Sequence, residues 1–299
     1  MKKLLILSGK GGTGKTTVAA ALIGFSGAGA VGDCDVDAPN LHLIVPREGE
    51  IQRKDFYGGK KAQVKPLTCV GCGECLRHCR FGAIELKHDT ARVDPIACEG
   101  CGVCQLVCPT HAVRLVEDVA GELTLFLGSP VFSGAELKMG RGNSGKLVTE
   151  VKFALYGAAK QETLAIIDGS PGIGCPVIAS ISGVDLALIV AEPSVSGISD
   201  LRRLLQTAEG LGVAVAVCVN KFDVNMEKTE EIEALCGERG IPLVGKIPFD
   251  DAVGLAIREG RSVHEKESRA KDALYEIYQK TMLLLEEPKS IFFEEEAKS

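Results

Sequence analysis

Gly9-Lys10-Gly11-Gly12-Thr13-Gly14-Lys15-Thr16 is the stretch from which the fold of this 299-residue chain is read. It fits G-x-x-x-x-G-K-[ST], and it lies between an apolar run at residues 4–7 and a helix-like run at 17–23. That strand–loop–helix context is the one in which glycines let backbone N–H groups converge on phosphate at a helix N-terminus. The reading makes Gly11, Gly12, Thr13 and Gly14 the cradle of a bound nucleotide, with Thr17 beside them. Lys15 reaches the β- and γ-phosphates and the Thr16 hydroxyl ligates Mg²⁺.

Further along, short apolar runs recur at 123–127, 164–167, 186–190, 213–219 and 243–247. Several are continuous rather than alternating, as in parallel strands buried on both faces. Helix-like stretches at 199–210 and 228–239 separate them, and a helical period runs from 265 to 287. Alternation of this kind predicts an α/β fold, a doubly wound, mostly parallel sheet of the P-loop NTPase type. No apolar run approaches the ~18–20 residues that span a bilayer, and residues 1–7 read as a strand rather than a leader. The net charge of −6 argues against binding to a nucleic-acid backbone. A soluble, cytoplasmic protein is expected.

Twelve cysteines depart from ordinary usage, and eight of them fall between Cys69 and Cys108. In a chain of this class a metal or catalytic role is the better expectation than disulfides. The segment Cys69-Val-Gly-Cys-Gly-Glu-Cys-Leu-Arg-His-Cys recurs 29 residues later as Cys98-Glu-Gly-Cys-Gly-Val-Cys-Gln-Leu-Val-Cys. Cys69, Cys72, Cys75 and Cys79, and again Cys98, Cys101, Cys104 and Cys108, are spaced C-x2-C-x2-C-x3-C. This is the bacterial two-cluster ferredoxin pattern, in which the fourth cysteine of each run ligates the other cluster. Two [4Fe–4S] clusters are expected, one on Cys69, Cys72, Cys75 and Cys108, the other on Cys98, Cys101, Cys104 and Cys79. Two zinc sites are the alternative, although zinc more often takes separated pairs. Arg80 replaces the proline that follows Cys108 in the second run. The organisation expected is a P-loop domain at 1–58 and 119–299, interrupted at 59–118 by an inserted α+β ferredoxin-like domain. His78, His88 and His111 read as surface or packing residues, Cys34, Cys218 and Cys236 as core.

With its second lysine, Lys10-Gly-Gly-Thr-Gly-Lys-Thr16 resembles the deviant phosphate loop K-G-G-x-G-K-[ST] of the MinD/ParA/Mrp family of ATPases, which includes the nitrogenase iron protein. The resemblance implies that Lys10 acts across a homodimer on the partner's ATP. Asp33-Cys34-Asp35-Val36-Asp37 is similar to the family's switch I, which implies that Asp35 orients the attacking water and Asp33 lies near the metal. Asp168-Gly169-Ser170-Pro171-Gly172 resembles switch II, with Ser170 at a position where proline is commoner. By that likeness Asp168 supports Mg²⁺ and Gly172 senses the γ-phosphate. Asn220 resembles the residue that reads adenine, and Ile247-Pro248-Phe249-Asp250 the loop that covers the base. Cys175, seven residues after Asp168, resembles a cluster-holding cysteine of the nitrogenase iron protein but lacks a second cysteine to accompany it.

The expected activity is therefore ATP hydrolysis by a homodimer with ATP at its interface. It would be coupled to electron transfer through two [4Fe–4S] clusters toward an unidentified redox or acceptor protein. An Mrp-type cluster carrier is disfavoured because no C-x-x-C lies outside the insert. A MinD/ParA-like positioning ATPase is disfavoured by the acidic segment Phe292-Phe-Glu-Glu-Glu-Ala-Lys-Ser299, which does not suit an anionic membrane, and by the net charge of −6, which does not suit DNA. The chain resembles MinD-like ATPases with an inserted ferredoxin domain.

Overall fold

The computed structural model describes residues 1–47 and 49–286; the acidic segment 292–299 lies outside them. Two compact units make up the chain. The first comprises Met1–Arg53, Leu123–Glu136 and Ser144–Ser299, the second Lys54–Glu122 with Leu137–Asn143.

In the first unit β1 (Lys2–Leu7) runs into the phosphate loop and α1 (Lys15–Ser26). Leu4 to Leu7 are fully buried, as are most residues of α1 from Val18 to Leu22. A helix apolar all round belongs under a sheet, not on a surface. Gly27 closes α1 in the left-handed conformation (φ 60°) and donates its N–H to the Ile23 carbonyl. β2 (Ala30–Asp33) follows, and then β3 (Glu50–Val64).

The second unit holds α2 (Glu74–His78), the hairpin β4 (Ile84–Lys87) and β5 (Thr90–Val93), and α3 (Val103–Leu106). β4 and β5 are antiparallel, joined by His88 and Asp89, both at positive φ, the two-residue turn that suits a twisted hairpin. Its small core gathers Ala62, Ala83, Ile84, Ala91, Ala112, Val113 and four of the cysteines. The expected insert at 59–118 falls inside this unit, which is wider. Asn143 donates its side-chain amide to the Gly58 carbonyl, and Arg141 binds Asp118 (2.8 Å) and the Pro95 carbonyl (2.7 Å).

β6 (Val113–Leu127) and β7 (Val131–Leu137) come next, then α4 (Ser144–Ala158), β8 (Leu164–Asp168), α5 (Cys175–Ile181), β9 (Leu186–Ala191) and α6 (Val195–Gly210). β10 (Ala214–Asn220), α7 (Met226–Glu238), β11 (Leu243–Ile247), α8 (Asp251–Arg258) and α9 (Arg269–Glu286) complete the order. The sheet order is β11-β10-β9-β1-β8-β2-β7-β6-β3, and every pair from β11 to β7 is parallel. This is the α/β arrangement expected, with the phosphate loop at the carboxyl end of a central strand. No helix among the described residues is long and apolar enough to cross a membrane.

Candidate nucleotide site

Three strand ends meet at the phosphate loop. β1 delivers the loop, β2 ends at Asp33, and β8, paired with both, ends at Asp168. The Asp168 carboxylate is fully buried and accepts from Lys15 Nζ at 2.6 Å and from Thr16 Oγ1 at 2.7 Å. Lys15, only 5% exposed, also lies 3.7 Å from Asp35. Burial works against its charge, but the three carboxylates of Asp168, Asp35 and Asp33 prevail and hold its pKa above the ordinary lysine value.

Asp33 is pushed up to about 7, first by burial and then by the neighbouring Asp168 charge. Its two carboxylate oxygens accept the backbone N–H groups of Asp35 and Leu41, each at 3.1 Å. It thereby winds the segment after β2 into its turn. Asp35, whose carboxyl is also raised by burial, is left to face the loop. The carboxylates of Asp33, Asp35 and Asp168 all act on Lys15, but no three of them converge on one ion, so a divalent cation would rest on the Thr16 hydroxyl with carboxylates behind it.

The segment after β8 is tied to the segment after β2 through Cys34. The Cys34 N–H donates to the Asp168 carbonyl (2.8 Å), and the Ser170 hydroxyl donates to the Cys34 carbonyl. A proline at position 170 has no hydroxyl for the second bond, so the departure from the family pattern has a structural use. Gly172 is at φ 95° and its N–H meets the Ser8 carbonyl at 3.1 Å.

Within the loop the Thr13 hydroxyl is buried with no hydrogen-bond partner among the described residues. An orphaned buried donor at the centre of a phosphate loop fits a phosphate oxygen. Gly11 and Gly12 have open space where a side chain would stand. Gly14 does not: at φ 92°, a Cβ there would lie 2.2 Å from Asn220 Nδ2. Asn220 donates that amide to the Thr13 carbonyl at 2.7 Å and so braces the loop. Thr17 lies in the first turn of α1, and Pro248 just after β11.

Lys10 has partners that the sequence did not disclose. Its Nζ lies 2.7 Å from Glu192 and within 3.4 and 3.1 Å of the Ser194 and Ser196 hydroxyls. The loop after β9 thus contributes Glu192 and Ser194, and the first turn of α6 Ser196; the only sequence signal was their place at a strand's carboxyl end.

In the second unit Cys69, Cys72, Cys75 and Cys108 line one small cavity together with Gly71, Gly73 and Ala112. The thiols of Cys98 and Cys101 lie close enough to Cys104 to raise it, after burial, and those of Cys69 and Cys72 do the same to Cys75. Cys79 packs against the same small core. Thiol sulfurs accept backbone N–H groups: Cys69 from Ala91 (3.5 Å), Cys98 from Ala62 and Gly100 (3.4 Å each), and Cys108 from Ala112 (3.2 Å). The backbone obeys the repeat: Gly71 and Gly73 (φ 67° and 74°) match Gly100 and Gly102 (65° and 81°). Gly82 (62°) matches His111 (51°), so His111 occupies a glycine-type turn position. Among the described residues no three His, Cys, Asp or Glu side chains converge on a single-ion site. Cys34, Cys218 and Cys236 are buried, and Cys175 is exposed at the start of α5.

The profile of the CobQ/CobB/MinD/ParA nucleotide binding domain matches residues 4–263. An uncharacterised protein of Methanocaldococcus jannaschii is 33% identical over 284 residues, 93% of this chain and 95% of its own length. A second protein of that organism, described as an uncharacterised ATP-binding protein, is 28% identical over 283 residues, 92% of this chain and 85% of its own. The septum site-determining protein MinD of Pyrococcus horikoshii, solved with Mg-ADP, superposes with a TM-score of 0.57 at 19% identity, covering 94% of this chain and 95% of that one. Apo McdA from Cyanothece gives 0.56 at 18% identity, covering 94% and 99%. This chain belongs to the CobQ/CobB/MinD/ParA family of nucleotide-binding proteins.

Proposed function

We propose that the protein is a MinD/ParA-type ATPase that binds MgATP in the residue 9–17 loop and works as a nucleotide-dependent homodimer. The observation that carries this is the Lys15–Asp168–Thr16 constellation, beside a phosphate loop whose buried Thr13 hydroxyl has no partner among the described residues. Thr16 would ligate Mg²⁺, with Asp33 and Asp168 behind it. Lys15 and the loop amides would hold the phosphates, and Asp35 would orient water. Asn220 and the Pro248 loop would bound the base, and Gly172 would answer to the γ-phosphate. The cation supplies charge neutralisation at the β- and γ-phosphates. Lys10 would complete the partner's site. Calorimetric titration with MgATP tests this: binding by the parent and none by Lys15→Ala is expected. Equal affinity in the two would overturn the reading.

A finer reading adds two [4Fe–4S] clusters and electron transfer. None of the relatives reported above is named for iron–sulfur chemistry, and the comparisons favour the plain ATPase. The cysteine geometry supports the addition. Cys69, Cys72, Cys75 and Cys108 surround a cavity instead of converging on a point, which suits a polynuclear cluster better than one zinc ion, and backbone donors face their sulfurs. The clusters would supply one-electron chemistry, to an acceptor protein not yet identified. Iron and acid-labile sulfide analysis of anaerobically purified protein, with Cys72→Ser as control, tests it. Zinc in place of iron and sulfide would refute it.

A further inference from the structure

The 29-residue repeat gives each residue of the insert a counterpart, so the two halves can be compared position by position. Ala62 and Ala91 are equivalent, and each donates its N–H to the first cysteine of the other repeat: Ala62 to Cys98 at 3.4 Å, Ala91 to Cys69 at 3.5 Å. One position earlier the symmetry breaks. Lys61 donates its ammonium to the Cys98 backbone carbonyl, whereas its counterpart Thr90 donates a neutral hydroxyl to the His88 carbonyl at 3.4 Å. Cys98 thus has a cation at its main chain in addition to the Ala62 and Gly100 N–H groups on its sulfur.

We propose that Lys61 makes the cluster held by Cys98, Cys101, Cys104 and Cys79 the higher-potential one of the pair, the first to accept an electron. This rests on the iron–sulfur reading above. Reduction adds one electron, from a low-potential one-electron donor, and takes up no proton, so the cluster becomes one unit more negative. A fixed ammonium beside a ligand stabilises that extra charge, and it does so unequally because Thr90 offers no charge to the other site. The Lys61 side chain is only partly exposed, which limits screening by solvent.

The test is an EPR-monitored dithionite titration of the full chain, preceded by iron and sulfide analysis. Lys61→Gln is expected to lower the higher midpoint potential and leave the lower one in place. Thr90→Lys, the mirror substitution, is expected to raise the lower potential, and Lys61→Arg to keep the parent's pair. Potentials unmoved by Lys61→Gln, or both moved together, overturn the proposal. If Lys61→Gln loses its iron, Thr90→Lys decides: a raised lower potential supports charge tuning, and no change makes Lys61 a structural residue. A parent without sulfide overturns the iron–sulfur reading itself, before any potential is measured.

Discussion

Lys10 and Glu192 form an ion pair at 2.7 Å within one protomer. The lysine that the family resemblance sends across a dimer is held at home, with two serine hydroxyls completing its shell. For Lys10 to serve a partner's nucleotide, this pair must open. With side-chain exposures of 36% and 25%, the pair is worth about 0–1 kcal/mol. Glu192→Gln is therefore expected to strengthen ATP-dependent dimerisation by no more than about fivefold for each Lys10 released, about thirtyfold for the two of a symmetric dimer, and Lys10→Ala to keep ATP binding but lose turnover. Light scattering with ATP and phosphate release measure both. Normal turnover by Lys10→Ala would rule out the action in trans.

Ser170 gives a second prediction. Its hydroxyl and the Cys34 N–H make two bonds between switch II and switch I. Ser170→Ala leaves the buried Cys34 carbonyl short of a donor, at a cost of about 1–3 kcal/mol. A lowered melting temperature is expected, with a smaller gain on adding MgATP because Ser170 no longer ties the segment after β8 to Cys34. A variant as stable as the parent and equally responsive would show the bond to be idle.

What the sequence disclosed and what it hid divide along physical lines. The phosphate loop was legible because its geometry is local: glycines, one lysine and one threonine within eight residues. The buried parallel strands β1, β8, β9, β10 and β11 were legible from apolar runs, whereas β2 and β7, also buried and parallel, were not. β3 was not, since its residues from Glu50 to Asp55 are all exposed and it has no apolar run. The partners of Lys10 lie more than 180 residues away and come to it only through the β1–β9 pairing. Asn220 could be placed at a strand end, but its bond to the Thr13 carbonyl depends on tertiary packing. The left-handed turn at His111 was concealed by a residue that rarely adopts it, although the repeat aligns it with Gly82.

That alignment yields a third prediction. Gly82 and Gly100 are both at positive φ, but a Cβ on Gly82 meets open space, whereas one on Gly100 would stand 2.0 Å from the Lys60 carbonyl oxygen. Gly82→Ala should cost about 1 kcal/mol, the ordinary penalty of the left-handed region. Gly100→Ala adds a backbone collision next to Cys98 and Cys101, and is expected to abolish folding of the cysteine-rich unit. Limited proteolysis of the two variants separates them; equal resistance would contradict the geometry.

The last prediction concerns pH. His264 lies edge-on to Phe25, their ring centroids 5.7 Å apart, and a Cβ on Gly24 would touch its ring. Its Nδ1 is buried without a partner among the described residues. Burial lowers its pKa below the usual 6.5, with help from Lys271 and against the pull of Glu265. Between the folded value and 6.5 the unfolded chain binds a proton that the folded chain refuses, so stability rises with pH across that window. The stabilisation is complete above about 6.5 and is lost as the solution is acidified. His264→Phe keeps the ring packing and cannot be protonated. Calorimetry at pH 7.5 and 5.5 should therefore show a smaller fall in Tm for His264→Phe than for the parent. Equal falls would mean that this histidine, despite its enclosure, takes up its proton as readily in the folded protein as in the unfolded chain.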